Sequence, residues 1–109
     1  MHIWLLLSLA IVSEIIATSA MKASDGFARP GPVAIMIIGY GLAFYLIGRV
    51  LEYLPVGNVY AIWSGVGTAG VALVGVWLFN ESLNMPRIFG IVLIIAGVVI
   101  LNMFSNNPI

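Results

Sequence analysis

Charged side chains are what a folded chain most needs to keep in water, and this chain has very few to place. Its 109 residues include four Lys or Arg, four Asp or Glu and one His: His2, Glu14, Lys22, Asp25, Arg29, Arg49, Glu52, Glu81 and Arg87. All but Glu14 fall at the edges of long apolar stretches. A membrane helix needs about 20 mainly apolar residues to cross a hydrocarbon core of ~30 Å at 1.5 Å per residue. Four segments meet that length, at about residues 3–21, 32–50, 58–80 and 88–104. With 62% hydrophobic and 7% charged residues, against roughly 25% charged in an average soluble domain, the chain lacks the polar surface a small soluble domain requires. The expected fold class is an all-α integral membrane protein, with residues 1–109 forming one domain of four transmembrane helices.

The connections between these segments are short. Residues 22–31 carry Ser-Asp-Gly and Pro-Gly-Pro turn chemistry, and residues 81–87 carry Asn84 and Pro86. A turn is expected at Pro55-Val56-Gly57-Asn58, and the polar run Ser105-Asn106-Asn107-Pro108 is expected to end the last helix. Successive helices are then antiparallel neighbours, with both termini on one side of the bilayer. Lys22, Arg29 and Arg87 give the first and third loops a weak basic bias that mildly favours a cytoplasmic position, and so few charges also permit insertion in both orientations. The apolar start has no basic n-region and is followed by three more apolar stretches, so it reads as a retained helix rather than a cleaved signal.

Composition also narrows the function. Acid and base balance to zero with no basic cluster, which leaves nucleic-acid binding without an electrostatic footprint. The absence of cysteine removes disulfide and thiolate chemistry. A lone His2 offers no metal site and reads as an interfacial residue. No cofactor is expected. An enzyme is not expected either, because no nucleophile, base and orienting third group converge.

Glu14 is the exception to the charge pattern. It stands about eleven residues into the first span, near the expected bilayer midplane, where an ionised carboxylate costs several kcal/mol unless it is paired, hydrated or protonated. No Lys or Arg lies at that depth, so its missing partner is expected to be a proton or a transported cation. One carboxylate cannot hold both. At helical spacing Leu7, Ala10, Ala17, Thr18 and Met21 share its face, and Thr18, one turn away, can donate a hydrogen bond to it. The bland reading is a protonated Glu that only bonds between helices.

In the third span, Tyr60 and Trp63 share one face. Aromatics near a helix end commonly form an interfacial belt, but an aromatic wall beside a carboxylate also suits a lipophilic cation. Trp4, Tyr40, Phe44 and Tyr45 are further candidates for such a wall, Trp4 being the closest to a plain belt residue. Gly65 and Gly67, followed by Gly70 and Gly75, are expected to form either a hinge or a packing face. Gly90 and Gly97 in the fourth span make a stripe suited to helix association and are expected to serve as an oligomer contact. Arg49 and Glu52, at i and i+3, are placed to pair.

These motifs resemble the small multidrug resistance family over essentially the whole chain. The markers are Glu14, Met21-Lys22, Asp25-Gly26-Phe27, Pro55-Val56-Gly57, the run from Tyr60 to Gly67, and the stretch from Gly90 to Val98. The resemblance implies a dimer of four-helix protomers, often antiparallel, in a bacterial or archaeal inner membrane, exporting cationic compounds in exchange for protons and driven by the proton gradient. It implies that Glu14 is shared by proton and substrate, with Tyr60 and Trp63 as aromatic partners and Trp4, Ala10, Thr18, Tyr40 and Phe44 around the same chamber. Gly65 and Gly67 match the family's kink, and Gly90 to Val98 its dimer contact. Guanidinium exporters of the family carry Trp where this chain has Ala17 and often Lys where it has Asn102. Polyamine-type members carry an acid where it has Ser64. The resemblance thus implies the quaternary-ammonium and lipophilic-cation branch. Trp4, Ala17, Ala43 and Tyr45 depart from frequent family residues and alter the chamber's volume and polarity. Alternatives are export of small guanidinium-like or amine metabolites, pairing with a second family member as a heteromer, and a non-transporting subunit of a membrane complex.

Overall fold

The computed structural model describes residues 2–103. They form four helices, α1 (Ile3–Ala23), α2 (Pro30–Val50), α3 (Val56–Leu78) and α4 (Met85–Met103), and no strand occurs among the described residues. Each helix is long and apolar enough to cross a membrane. The chain is a multi-pass, all-α membrane protein, and its helices fall into two compact units that meet in sequence between Tyr53 and Leu54.

Several helix starts differ from the sequence expectation because prolines expected in the connecting turns open the helices instead. Pro30-Gly31-Pro32 is not a turn. It opens α2, with Pro at the first helical positions, where a missing N–H costs nothing and the fixed φ is already helical. Likewise Pro55 caps α3, so Val56, Gly57 and Asn58 form its first turn. Pro86 sits in the first turn of α4, which begins at Met85 rather than Ile88. The expected end of the last helix at Phe104 and the Ser105–Pro108 stop lie outside the described residues.

In the first unit α1 packs along α2. The buried residues of α1, Leu7, Ala10, Ile11, Ser13, Ala17 and Ala20, recur every three or four positions and so share one face. Leu5, Leu9, Val12 and Ile16 point outward, as lipid permits. Lipid tails are as apolar as leucine, so burial alone does not drive such helices together; close backbone approach does. A close approach occurs at Gly39, where a Cβ would lie 2.9 Å from Ala17 Cβ and 3.1 Å from Ser13 O.

A tight turn joins the two helices. Ser24 is fully buried; its hydroxyl donates to Met21 O at 2.7 Å and accepts from Phe27 N at 3.0 Å. Arg29 donates to Ala23 O at 3.1 Å, placing a cation on the carbonyl end of α1, the negative pole of the helix. Asp25, Gly26 and Phe27 all have positive φ, an unusual run that the Ser24 bonds help to hold. Ser24→Ala removes both bonds and leaves a turn N–H without its acceptor. A loss of about 1–2 kcal/mol is expected, measurable as a lower unfolding midpoint in detergent.

In the second unit α3 packs on α4 more sparsely than α1 on α2. α3 is helical through Gly65 and Gly67. At Gly65 a Cβ would fall 2.5 Å from Val98 Cγ2 and 3.3 Å from Ile94 Cγ2, so this glycine marks a packing contact with α4. Beside it an open groove of about 380 Å³ is lined by residues that include Ala61, Ser64, Thr68, Gly97 and Val98. The connection is tied down by Glu81, which pairs with Arg87 at 3.0 Å, and by Asn84, whose Oδ1 caps α4 through Arg87 N at 3.0 Å. Glu81 and Arg87, which sequence alone leaves as solvated loop charges, are thus partners. Both are partly exposed, and such pairs contribute ~0–1 kcal/mol.

Candidate functional site

Glu14 occupies the middle of α1 and is half-buried. It is the only Asp or Glu within any of the four described helices, and the basic residues of those helices, Lys22, Arg49 and Arg87, lie in terminal turns. Among the described residues Glu14 has no ion-pair partner. Its neighbour is a hydroxyl: Thr18 Oγ1 donates to Glu14 Oε2 at 2.5 Å. The i,i+4 spacing on α1 dictates this contact, as the sequence suggested. Ala10 and Ala17, fully buried on either side of Glu14 along the helix, bring no polar atom of their own toward it.

The sequence did not reveal the next link. Tyr40 OH lies 2.6 Å from Thr18 Oγ1, which joins α2 to the α1 pair. Tyr40 follows Gly39, a residue at which α2 lies close against α1, so the backbone approach delivers the phenol to Thr18. The Tyr40 ring stacks on Phe44 one turn on, with centroids 5.9 Å apart and planes 13° from parallel. Phe44 is itself largely exposed, and the stacked pair presents an aromatic face. Trp4, at the start of α1, is 36% exposed, and its backbone N–H is capped by His2 Nδ1 at 3.2 Å. His2 is therefore a helix cap, which a residue type and a position alone do not disclose.

In the second unit Tyr60 and Trp63 form an edge-to-face pair, with centroids 6.1 Å apart and planes at 73°. Their i,i+3 spacing at the start of α3 brings them together. Tyr60 is 63% exposed, whereas Trp63 is half-buried. One polar link here was not anticipated. Asn58, buried in the first turn of α3, reaches Asn102 Oδ1 on α4 at 3.5 Å, while Asn102 donates to Val98 O at 2.9 Å. A buried amide facing a second amide late in the next span was the available signal. Gly90 and Gly97 have open space where a Cβ would project, and α4 buries none of its described residues. The expected Arg49–Glu52 pair is present at 3.3 Å.

The first unit thus holds an acid bonded to a neutral hydroxyl chain, with a stacked aromatic pair at the end of that chain, and the second unit has an edge-to-face aromatic pair of its own. The acid can release or take up a proton, or neutralise a cation, and no nucleophile with an activating base stands beside it among the described residues. The family model described as Small Multidrug Resistance protein matches residues 2–94. The quaternary ammonium compound-resistance protein QacE of Escherichia coli is 47% identical over 94% of this chain and 94% of its own length. The multidrug resistance protein EbrA of Bacillus licheniformis is 45% identical over 92% and 95% respectively, and the quaternary ammonium compound-resistance protein QacF of Klebsiella aerogenes is 42% identical over 94% of each. An apolar chain of four spans with one acid at mid-helix, similar throughout its length to these resistance proteins, belongs to the small multidrug resistance family.

Proposed function

We infer that this protein is an exporter of quaternary ammonium and other lipophilic, often aromatic, monovalent cations, exchanging them for protons at Glu14. The observation that carries this reading is the isolation of Glu14: it is the one acid within the described membrane-spanning helices, and no basic group pairs with it. An ionised carboxylate in that setting attracts a monovalent cation that sheds its water easily, and a proton satisfies it equally well. Because the two exclude each other, a site open to one side at a time converts proton entry into cation exit. Tyr60 with Trp63, and Tyr40 with Phe44, offer the ring faces that a desolvated organic cation prefers. The similarity to QacE and QacF, named for resistance to quaternary ammonium compounds, and to EbrA, named for multidrug resistance, supports the same substrate class.

The working form is a homodimer in the inner membrane, driven by the proton gradient and free of cofactors. The open space over Gly90 and Gly97 on an unburied α4 supports helix association at that face. Gly65 and Gly67 remain the hinge candidates of α3.

The test is uptake of a quaternary ammonium ion into proteoliposomes under an imposed pH gradient. Gradient-dependent accumulation that collapses with a protonophore is expected. Accumulation indifferent to the gradient would exclude proton exchange. Guanidinium displacing the quaternary ammonium more effectively than tetraalkylammonium ions do would move the substrate to small guanidinium-like metabolites.

A further inference from the structure

The hydroxyl chain between α1 and α2 has a direction, and that direction depends on the charge of Glu14. A threonine hydroxyl has one proton to donate. Thr18 directs it to Glu14 Oε2 at 2.5 Å, so in the 2.6 Å contact between Thr18 Oγ1 and Tyr40 OH the phenol must be the donor. With Glu14 ionised the chain therefore runs from Tyr40 to Thr18 to Glu14, and the tyrosine oxygen turns its lone pairs away from the chain.

A proton taken up at Glu14 Oε2, the oxygen that faces Thr18, inverts the order. The new carboxyl O–H donates to Thr18 Oγ1, the threonine hydroxyl rotates to donate to the tyrosine oxygen, and the Tyr40 O–H turns outward. No covalent bond changes apart from the one that takes up the proton. The outer end of the chain thus presents an acceptor, congenial to a cation, when Glu14 is charged, and a donor, hostile to a cation, when it is neutral. The chain is short and held from both sides: the Gly39 contact with Ser13 and Ala17 fixes the backbone next to Tyr40, and stacking on Phe44 fixes its ring.

We propose that Tyr40, acting through Thr18, is a positioning residue that sets the balance between proton and cation at Glu14. The proposal rests on the exchange reading of Glu14 and specifies how that carboxylate is held in its charged form. The other titratable or charged groups of these two helices are otherwise engaged or remote. On α1, Lys22 is exposed two turns beyond Glu14. On α2, Arg49 donates to Tyr45 OH at 3.1 Å and pairs with Glu52.

The test measures binding of tetrabutylammonium to the purified full chain in detergent as a function of pH, and reads for each variant both the alkaline plateau and the midpoint of the fall from it. The unaltered protein should lose the cation as pH falls. Tyr40→Phe keeps the ring but removes the inward donor. It should move the midpoint of that loss to higher pH by about half a unit, because a hydrogen bond that favours the charged form is weakened. Thr18→Val should move the midpoint the same way and at least as far, and Thr18→Ser, which keeps a hydroxyl, should restore it. The double variant Thr18→Val with Tyr40→Phe should match Thr18→Val alone, since Tyr40 acts only through Thr18.

An unmoved midpoint in Tyr40→Phe overturns the proposal. So do additive shifts in the double variant, and so does a lower plateau with the midpoint in place, the mark of a residue that merely touches the cation. If the unaltered protein binds without pH dependence, the exchange reading of Glu14 falls along with it. A pH-dependent parent with an unmoved Tyr40→Phe removes this proposal alone.

Discussion

Replacing Glu14 by Gln is expected to reduce gradient-driven cation uptake in proteoliposomes to background while leaving a folded protein. Gln is nearly isosteric, and its amide oxygen can still accept from Thr18, whose hydroxyl lies 2.5 Å from the carboxylate oxygen in the unaltered protein. The half-buried position and the Ala10 and Ala17 packing on that face are therefore kept. What is lost is the charge. A monovalent cation about 4 Å from a carboxylate in a medium of intermediate polarity gains roughly 4 kcal/mol, so cation affinity should fall by roughly 100- to 1,000-fold. Exchange should stop altogether, because an amide cannot release a proton in the accessible pH range. Substantial gradient-driven uptake by the Gln variant would mean that another group couples the two ions. Glu14→Asp separates charge from reach: it retains an acid but draws it back by one methylene, away from Thr18, and intermediate activity is expected.

The second large effect is structural. Gly39→Val should disrupt the first unit, because the atoms facing a Cβ at this position belong to the opposing helix itself: Ala17 Cβ at 2.9 Å, Ser13 O at 3.1 Å and Ala17 Cα at 3.3 Å. A flexible side chain could swing away, but a helix backbone cannot. The branched side chain must push α1 from α2, with a cost of about 1–3 kcal/mol for overpacking, and in lipid no hydrophobic gain offsets the lost contact. The displacement should also part Tyr40 from Thr18, so that stability and the pH response of binding fail together. Thermal unfolding in detergent measures the first and the cation-binding pH profile the second. Gly39→Ala should show the same pattern at smaller amplitude. An unchanged melting temperature in Gly39→Val would show that the helices do not meet at this point.

The residues that reveal the fold are those a membrane constrains most simply. Four apolar runs of membrane-spanning length, and the confinement of charge to their ends, were sufficient for a four-helix membrane protein, because lipid offers no partner to an open backbone and leaves the helix as the economical solution. Glu14 stood out by the same logic, and Thr18 followed from one helical turn. The boundaries were less legible. Pro30, Pro55 and Pro86 sit where helices begin, yet proline is equally at home just beyond a helix end, and only the hydrogen-bond pattern separates the two. His2 as a cap and Glu81 with Arg87 as a pair escaped notice because their partners are set by the path of a turn.

Sequence by itself thus determined the solvent this protein lives in, the number of its spans and the one acid placed within them, since each follows from hydropathy and helical period along one segment. Tertiary structure alone decided that Tyr40 meets Thr18 and that Asn58 meets Asn102. Those contacts join residues 22 and 44 positions apart, and helix periodicity says nothing about the register in which two helices pack. That register depends on where small residues let the backbones touch, as they do at Gly39. The isolated carboxylate was visible in a line of letters; the hydroxyl chain that holds it required two helices in contact.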